Sequence, residues 1–150
     1  MADHKNIIIV CFIGLFFIYL HPAFAADNID TNVKVIHAST GSNHVDSQLK
    51  DISNELDSVF KYTSYRLLSE KRMQLTFNEQ GIVSLPGGRT LVLSPADMQK
   101  KRIRYHINIL KKKKSIFKTQ ILLRNNNSIT IGGPQYKKGV LLFHITGRAH

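Results

Sequence analysis

The most prominent chemical groups in this sequence are closely spaced lysines. Four of them, Lys111 to Lys114, are consecutive and have no acidic neighbour. Lys118 follows the run, Lys137 and Lys138 form a further pair, and residues 100–102 (Lys-Lys-Arg) could join them. Ammonium groups on flexible stems act on anions as point charges. We therefore predict a basic surface that binds an anionic partner through Lys111, Lys112, Lys113, Lys114, Lys118, Lys137 and Lys138.

The net charge of the chain, +11, supports the same chemistry and is unevenly spread. Residues 26–60 carry a net charge of −4, whereas residues 61–150 carry +15. Such a field favours lipid head groups, acidic polysaccharide or an acidic envelope protein. Nucleic acid is less favoured, because its binding modules add exposed aromatic side chains for stacking. The competing interpretation is that the lysines only aid solubility and guard a strand edge.

A catalytic site would need a nucleophile, a base and an orienting acid within reach of one another. The sequence lacks a G-x-S-x-G motif and lacks the partner motifs that accompany a catalytic S-x-x-K. Glu70, Glu79 and Asp97 are too scattered to indicate a carboxylate pair. We therefore predict that the protein is not an enzyme. The alternative is an envelope hydrolase whose site is built from dispersed residues such as His37 and Ser39.

Neither a metal nor a cofactor is expected. None of the later histidines shows the H-x-H, H-x3-H or HExxH spacing of zinc ligands. Residues 37–42 (HASTGS) could offer backbone amides to a phosphate, but they lack the lysine and the spacing of a P-loop. Gly132-Gly133 is not followed by a predicted helix, as a dinucleotide-binding turn requires. The histidines in question are His37, His44, His106, His144 and His150.

The N-terminus has the three parts of a secretory signal peptide. Lys5 precedes an uncharged apolar run from Ile7 to Leu20, and an A-x-A site ends at Ala25. The run is short for a membrane-spanning helix, which needs about 20 residues. We predict that residues 1–25 are a signal peptide cleaved after Ala25. The protein is then exported and is periplasmic or extracellular; an uncleaved N-terminal anchor is the alternative.

Cys11 is the only cysteine, and it lies inside the predicted signal peptide. The cleaved chain then has no thiol, which excludes disulfides, cysteine metal ligands and a cysteine nucleophile. A chain of this size buries roughly two thirds of its unfolded surface and can hold together by its core alone. We predict a disordered leader at residues 26–32 and a single β-rich domain at residues 33–150.

The clearest structural pattern is an antiparallel hairpin that brackets the four lysines. Residues on either side of Lys111 to Lys114 alternate between apolar and polar side chains with the period of two that is typical of strands. Two such runs joined by a short polar link predict a hairpin with the lysines at its tip. Its apolar face is predicted to consist of Ile103, Tyr105, Ile107, Ile109, Phe117, Thr119, Ile121 and Leu123.

One amphipathic helix is predicted over residues 46–60, with Asp46 as its N-cap. Apolar residues recur there at helical spacing, and polar residues fill the other face. Because a sheet must cover one of its faces, we expect the helix to pack on the sheet rather than on a partner. The side chains expected to be buried are Leu49, Ile52, Leu56 and Val59.

The rest of the sequence indicates further short strands separated by Gly, Pro and Asn turns. Residues 140–146 are apolar on both faces, which predicts a central strand. Breaks are predicted at Ser94-Pro95 and at residues 132–134, and a tight turn at residues 125–127. The predicted fold class is α+β and β-dominated: an antiparallel sandwich or partly open barrel of seven to eight strands with one helix packed on it.

Several segments resemble a family of uncharacterised small exported bacterial proteins. They are Tyr62–Leu68, Leu85–Arg89, Ile131–Tyr136 and Gly139–Leu142, and the pattern covers most of the chain after the predicted signal peptide. The family has no assigned activity, so the resemblance implies export and does not indicate an activity. Residues 119–133 also resemble the closing hairpins of outer-membrane secretins, which implies a cell-envelope context.

The expected function is therefore that of an exported, non-enzymatic cell-envelope protein. It would serve as an interaction or assembly module whose basic surface contacts an anionic partner. Export, the lack of a catalytic constellation and a compact β scaffold are the observations on which this expectation depends.

Overall fold

The computed structural model describes residues 28–150, so the predicted signal peptide lies outside the described residues. The described residues form two β-sheets and one short α-helix, and the predicted fold class is confirmed. The strands are β1 (Ile29–Ser39), β2 (His44–Val45), β3 (Ser64–Leu75), β4 (Gly81–Leu85), β5 (Arg89–Gln99), β6 (Arg102–Lys111), β7 (Lys114–Arg124), β8 (Asn127–Tyr136) and β9 (Gly139–Ala149), and the helix is α1 (Ser53–Val59).

The strands divide into a large sheet and a small sheet. The large sheet has five strands in the order β2-β3-β1-β9-β8, and the small sheet has four in the order β4-β5-β6-β7. All neighbouring strands are antiparallel except β2 and β3. The main core lies between the two sheets, where inward-facing residues of β1 and β9 meet those of β4 to β7.

The predicted hairpin is present as β6 and β7, with Lys112 and Lys113 in its two-residue turn. The predicted apolar residues of β6 are all buried in the main core, as are Ile121 and Leu123 of β7. Phe117, which lies closer to the lysine tip, is 41% exposed. Strand β6 therefore belongs to the core along its whole length, whereas β7 leaves the core near the tip.

The last strand, β9, is central as predicted, because it pairs with β1 on one side and with β8 on the other. Leu141, Phe143 and Ile145 point into the main core. Leu142 and His144 are also buried, on the outer face of the large sheet. A strand buried on both faces needs apolar residues at nearly every position, which explains its sequence.

The helix is in the predicted place but is shorter than predicted. A 3-10 turn covers Ser47–Leu49, and the α-helix covers only Ser53–Val59. Together they cover part of the outer face of the large sheet and bury Leu49, Ile52 and Leu56 there. Val59, predicted to be buried, is 63% exposed. The prediction for Val59 is wrong because the helix ends at this residue and the chain turns away.

Asp46 occupies the N-cap position of the 3-10 turn, as predicted, but its side chain makes no capping hydrogen bond there. Its carboxylate instead lies 2.8 Å from Nε2 of His44 and accepts a hydrogen bond of 2.8 Å from the backbone N–H of Leu67. The bond from His44, followed by that from Leu67, lowers the pKa of Asp46. Asp46 therefore ties the entry of the helical segment to strand β3.

Three other sequence predictions are wrong in detail. Strand β1 begins at Ile29, so the predicted disordered leader does not hold for residues 29–32, of which Ile29 and Thr31 are buried. Strands β5 and β8 continue through the predicted breaks, with irregular pairing after Pro95 and between Gly132 and Gln135. No strand of the described residues pairs with either segment on one side, where a proline costs no ladder hydrogen bond.

The turn at residues 125–127 is present, and Asn126 adopts the left-handed backbone (φ 61°) that asparagine tolerates. It joins strands of different sheets, because β7 belongs to the small sheet and β8 to the large one. Residues 119–133 therefore do not form the hairpin that the resemblance to secretins implied. The Asn125 side chain accepts a hydrogen bond from the backbone N–H of Ala149 (2.8 Å) and fixes this crossing.

Two hairpin turns place lysines in the left-handed region of the backbone. The φ angles are 49° and 62° at Lys100 and Lys101, and 48° and 63° at Lys112 and Lys113. Asn-Gly is the preferred pair for a two-residue hairpin turn with positive φ at both positions. Replacing Lys100-Lys101 by Asn-Gly is expected to raise the free energy of unfolding by ~1 kcal/mol, measured in urea. A loss of stability would contradict the assigned turn geometry.

Candidate functional site

Turns from both sheets gather at one end of the sandwich. In the small sheet, Arg89 pairs with Lys111, which places the turn before β5 beside the hairpin tip. In the large sheet, Lys137 and Lys138 form the turn between β8 and β9. The Arg89 guanidinium donates a hydrogen bond of 3.0 Å to the backbone carbonyl of Gln135 and joins the two sheets here. We name this set the basic end: Arg89, Lys111, Lys112, Lys113, Lys114, Lys137 and Lys138.

The basic end has a uniform sign of charge. No acidic residue occurs in its three turns, which span residues 86–90, 110–116 and 135–140. All six of its lysines are exposed, so their ammonium groups are free to approach a surface. Packed sheets lie about 10 Å apart, so the cations of both sheets can reach one anionic surface together.

Two parts of the predicted basic surface lie elsewhere. Lys118 pairs with Asn108 along β7 and lines the outer face of the small sheet, away from the end itself. Residues 100–102 lie at the opposite end of the sandwich, because β6 runs its full length between them and Lys111. The backbone N–H of Asn125 donates to the Lys101 carbonyl (2.8 Å) at that end.

The opposite end mixes both signs of charge. Arg104 lies 3.5 Å from a carboxylate oxygen of Asp97, and Nε2 of His150 lies 2.6 Å from Asp30. The hydrogen bond from His150 lowers the pKa of Asp30. An anionic surface would meet repulsion as well as attraction there, so the basic end is the better candidate site.

A recess of about 300 Å³ opens beside the basic end. His37 of β1 and Tyr136 of β8 meet there edge to face with ring centroids 5.2 Å apart. The Lys137 ammonium lies 5.3 Å from the centroid of the Tyr136 ring. The residues that line the recess are His37, Ser39, Ser42, Ser64, Arg66, Leu68, Tyr136 and Lys137. Sequence reasoning named His37 and Ser39 but did not connect them with Arg66 or Tyr136, which come from other strands.

The alternative hydrolase site would use His37 and Ser39. They lie two residues apart on the same face of β1, and no hydrogen bond joins their side chains among the bonds of residues 28–150. No carboxylate is among the residues that line the recess, so nothing there would orient the imidazole as a catalytic base.

A second depression, of about 790 Å³, lies on the outer face of the large sheet. Its lining combines Asp30 with Arg72 and Arg148, together with several amides and hydroxyls. The amide oxygen of Asn32 is buried there without a hydrogen-bond partner in the described part of the chain. Asp30 lies among these cations, so the depression is less uniformly basic than the basic end, and no sequence pattern indicated it.

A polar cluster around the buried imidazole of His144 lies between helix α1 and the large sheet. Nδ1 of His144 lies 2.8 Å from the Thr130 hydroxyl, which donates a bond of 3.0 Å to Glu55 of the helix. The single hydroxyl hydrogen of Thr130 is donated to the Glu55 carboxylate. In the bond between Thr130 and His144, Nδ1 of His144 is therefore the donor and the Thr130 oxygen is the acceptor. Lys34 and Asp51 also face this cluster. Burial lowers the pKa of His144 below 6.5, and Glu55 opposes this effect.

This lowered pKa predicts a pH dependence of stability. Below pH 6.5 the unfolded chain binds a proton at His144 more readily than the folded protein does. The contribution of His144 to the free energy of unfolding is therefore expected to be level above that pH and to become destabilising as the pH drops further. Urea unfolding between about pH 7.5 and about pH 5 measures the slope. A His144→Gln variant should lose the part of the stability-versus-pH slope that His144 causes. An unchanged slope in this variant would contradict the assignment of the slope to His144.

Among residues 28–150 there is no group of three or more His, Cys, Asp or Glu side chains that could hold a metal ion. In the same part of the chain, no helix has the length and apolar character needed to span a membrane. Comparison with protein-family models, curated proteins and solved structures finds no match. The resemblance to a family of small exported proteins stays a prediction.

Proposed function

We propose that this protein is an exported, non-enzymatic cell-envelope module that binds an anionic surface through its basic end. The observation that carries this proposal is the gathering of seven cations from both sheets at one end with no acidic residue in its turns. Lipid head groups and acidic polysaccharide are the envelope components with the required charge.

The competing interpretation is that the lysines only protect an exposed strand edge. Within the described residues β7 is one of the two edge strands of the small sheet, and Lys114 and Lys118 lie on it, where lysines often block pairing with other chains. That interpretation does not account for Arg89, Lys137 and Lys138. Arg89 belongs to β5, which is not an edge at that position, and the two lysines lie in a turn. Binding accounts for all of them.

The contact is expected to be solvated and sensitive to salt. Adjacent lysines on a hairpin turn cannot all point the same way, and each retains rotamer freedom, so they do not form a rigid pocket. Attraction between exposed charges is screened over a Debye length of ~10 Å at 0.1 M ionic strength. Several exposed lysines acting together on a charged surface still produce a measurable affinity.

The test is vesicle binding by the protein purified after secretion. Anionic vesicles should bind it at about 0.05 M salt and release most of it at about 0.5 M salt. Zwitterionic vesicles are the control and should not bind it at either salt concentration. Equal binding to both vesicle types, or binding that does not change with salt, would contradict the proposal.

A further inference from the structure

We propose that the recess beside the basic end is a binding site for a phosphate monoester group. This inference rests on the proposed function and adds a chemical class to it. The cations of the basic end provide general attraction to an anionic surface, whereas the recess distinguishes one type of head group from another.

The strand pairing brings the polar groups of the recess together. On β1, Ile36 and Ala38 pack beneath the helix, so His37 and Ser39 face the opposite side of the large sheet. On β3, Tyr65 and Leu67 also pack on the helix side. Side chains alternate along a strand, so Ser64, Arg66 and Leu68 face the recess. The register pairs His37 with Arg66 and Ser39 with Ser64.

The chemistry of the lining fits a phosphate monoester. Arg66 offers a planar guanidinium, which can donate two hydrogen bonds to a phosphate, and Lys137 adds a second positive charge. Ser39, Ser42 and Ser64 supply hydroxyl donors. A monoester presents three acceptor oxygens and up to two negative charges, so it uses this donor set more fully than a carboxylate or a phosphodiester does.

The imidazole of His37 gives the recess a fixed wall. Its Nε2 is buried without a hydrogen-bond partner among the described residues, and it lies against Gly139, where an added Cβ would be 2.9 Å away. Its ring also contacts Tyr136 edge to face. The recess of about 300 Å³ is at the lower limit of small-molecule sites, which suits a head group rather than a larger ligand.

The first experiment compares vesicles that contain phosphatidic acid, a monoester, with vesicles that contain phosphatidylglycerol, a diester, at equal surface charge. The wild-type protein should bind the monoester vesicles at least fivefold more tightly. Arg66→Gln should abolish this preference and retain binding to the diester vesicles. Arg66 is exposed, so the variant should fold, and Ser39→Ala provides a second test of the same recess. The matched control, Lys100→Gln at the opposite end, should keep the preference.

The second experiment titrates inorganic phosphate into the protein and follows backbone amide signals by NMR. Signals from residues 37–42 and 64–66 should shift with millimolar phosphate in the wild type and not in Arg66→Gln. Phosphate binding without a lipid preference would assign the recess to a soluble phosphate ester. Equal binding to both vesicle types, with no NMR shift on addition of phosphate, would refute the recess as a phosphate monoester site. The proposed function would then still stand. Binding to neither vesicle would refute the proposed function, and the phosphate titration would then decide the recess alone.

Discussion

Changing Lys111, Lys112, Lys113 and Lys114 together to glutamine is expected to weaken binding to anionic vesicles at least tenfold at low salt. Each basic residue close to an anionic membrane contributes about 1 kcal/mol, so four of them account for more than one order of magnitude. All four are exposed at the hairpin tip, so the free energy of unfolding should change by no more than ~0.5 kcal/mol. Vesicle sedimentation at several lipid concentrations measures the affinity, and urea unfolding measures the stability.

The chain offers a closely matched control for this prediction. Lys100-Lys101 and Lys112-Lys113 occupy two-residue turns with nearly the same φ angles, at opposite ends of the sandwich. Changing either pair to glutamine removes the same charge from the same backbone geometry. Only the Lys112-Lys113 variant should lose substantial affinity. Equal losses from both pairs would show that net charge matters and that its position does not.

Replacing Leu56 by alanine is expected to lower the free energy of unfolding by ~2–5 kcal/mol, which is the range for a large buried aliphatic side chain. Leu56 is fully buried in the cluster between the helix and the large sheet, where it packs with Ile36, Tyr65 and Leu142. The Tyr65 hydroxyl also donates to the Leu56 carbonyl at 3.2 Å, so displacement of the helix would disturb a second interaction.

Val59 provides the control within the same helix. Because it is 63% exposed, Val59→Ala should change stability by no more than ~0.5 kcal/mol. Urea unfolding of both variants, followed by circular dichroism, tests the pair. Similar losses from Leu56→Ala and Val59→Ala would contradict the observed end of the helix at Val59.

The parts of the fold that sequence could predict are those specified by neighbouring residues. The β6–β7 hairpin followed from strict alternation around Lys111 to Lys114, and the central position of β9 followed from apolar residues on both of its faces. The position of the helix followed from its periodicity. The length of the helix could not be predicted, because the periodicity continues through Ile52. The backbone breaks there, between the 3-10 turn and α1.

The parts that sequence could not predict depend on long-range pairing. Pro95 looked like the end of a strand, because nothing local shows that β4 begins opposite Leu93 and leaves the following part of β5 without a paired strand on that side. Asp46 looked like a capping residue because the local sequence does not show that its carboxylate bonds to Leu67, 21 residues away. The hydrogen bond from Arg89 to Gln135 brings the turn with Lys137 and Lys138 to the same end as the hairpin tip, whereas Lys100 and Lys101, nearer to the tip in sequence, lie at the other end.

The most direct measurement maps which end of the sandwich contacts an anionic surface. Vesicles that carry spin-labelled lipid head groups broaden the NMR signals of nearby backbone amides. We expect broadening at residues 86–89, 111–114 and 137–138 and none at residues 100–101 and 125–126, because the unopposed cations of both sheets lie at the first end. Broadening centred on the second end, or spread evenly over the protein, would contradict the assignment of the basic end as the binding site.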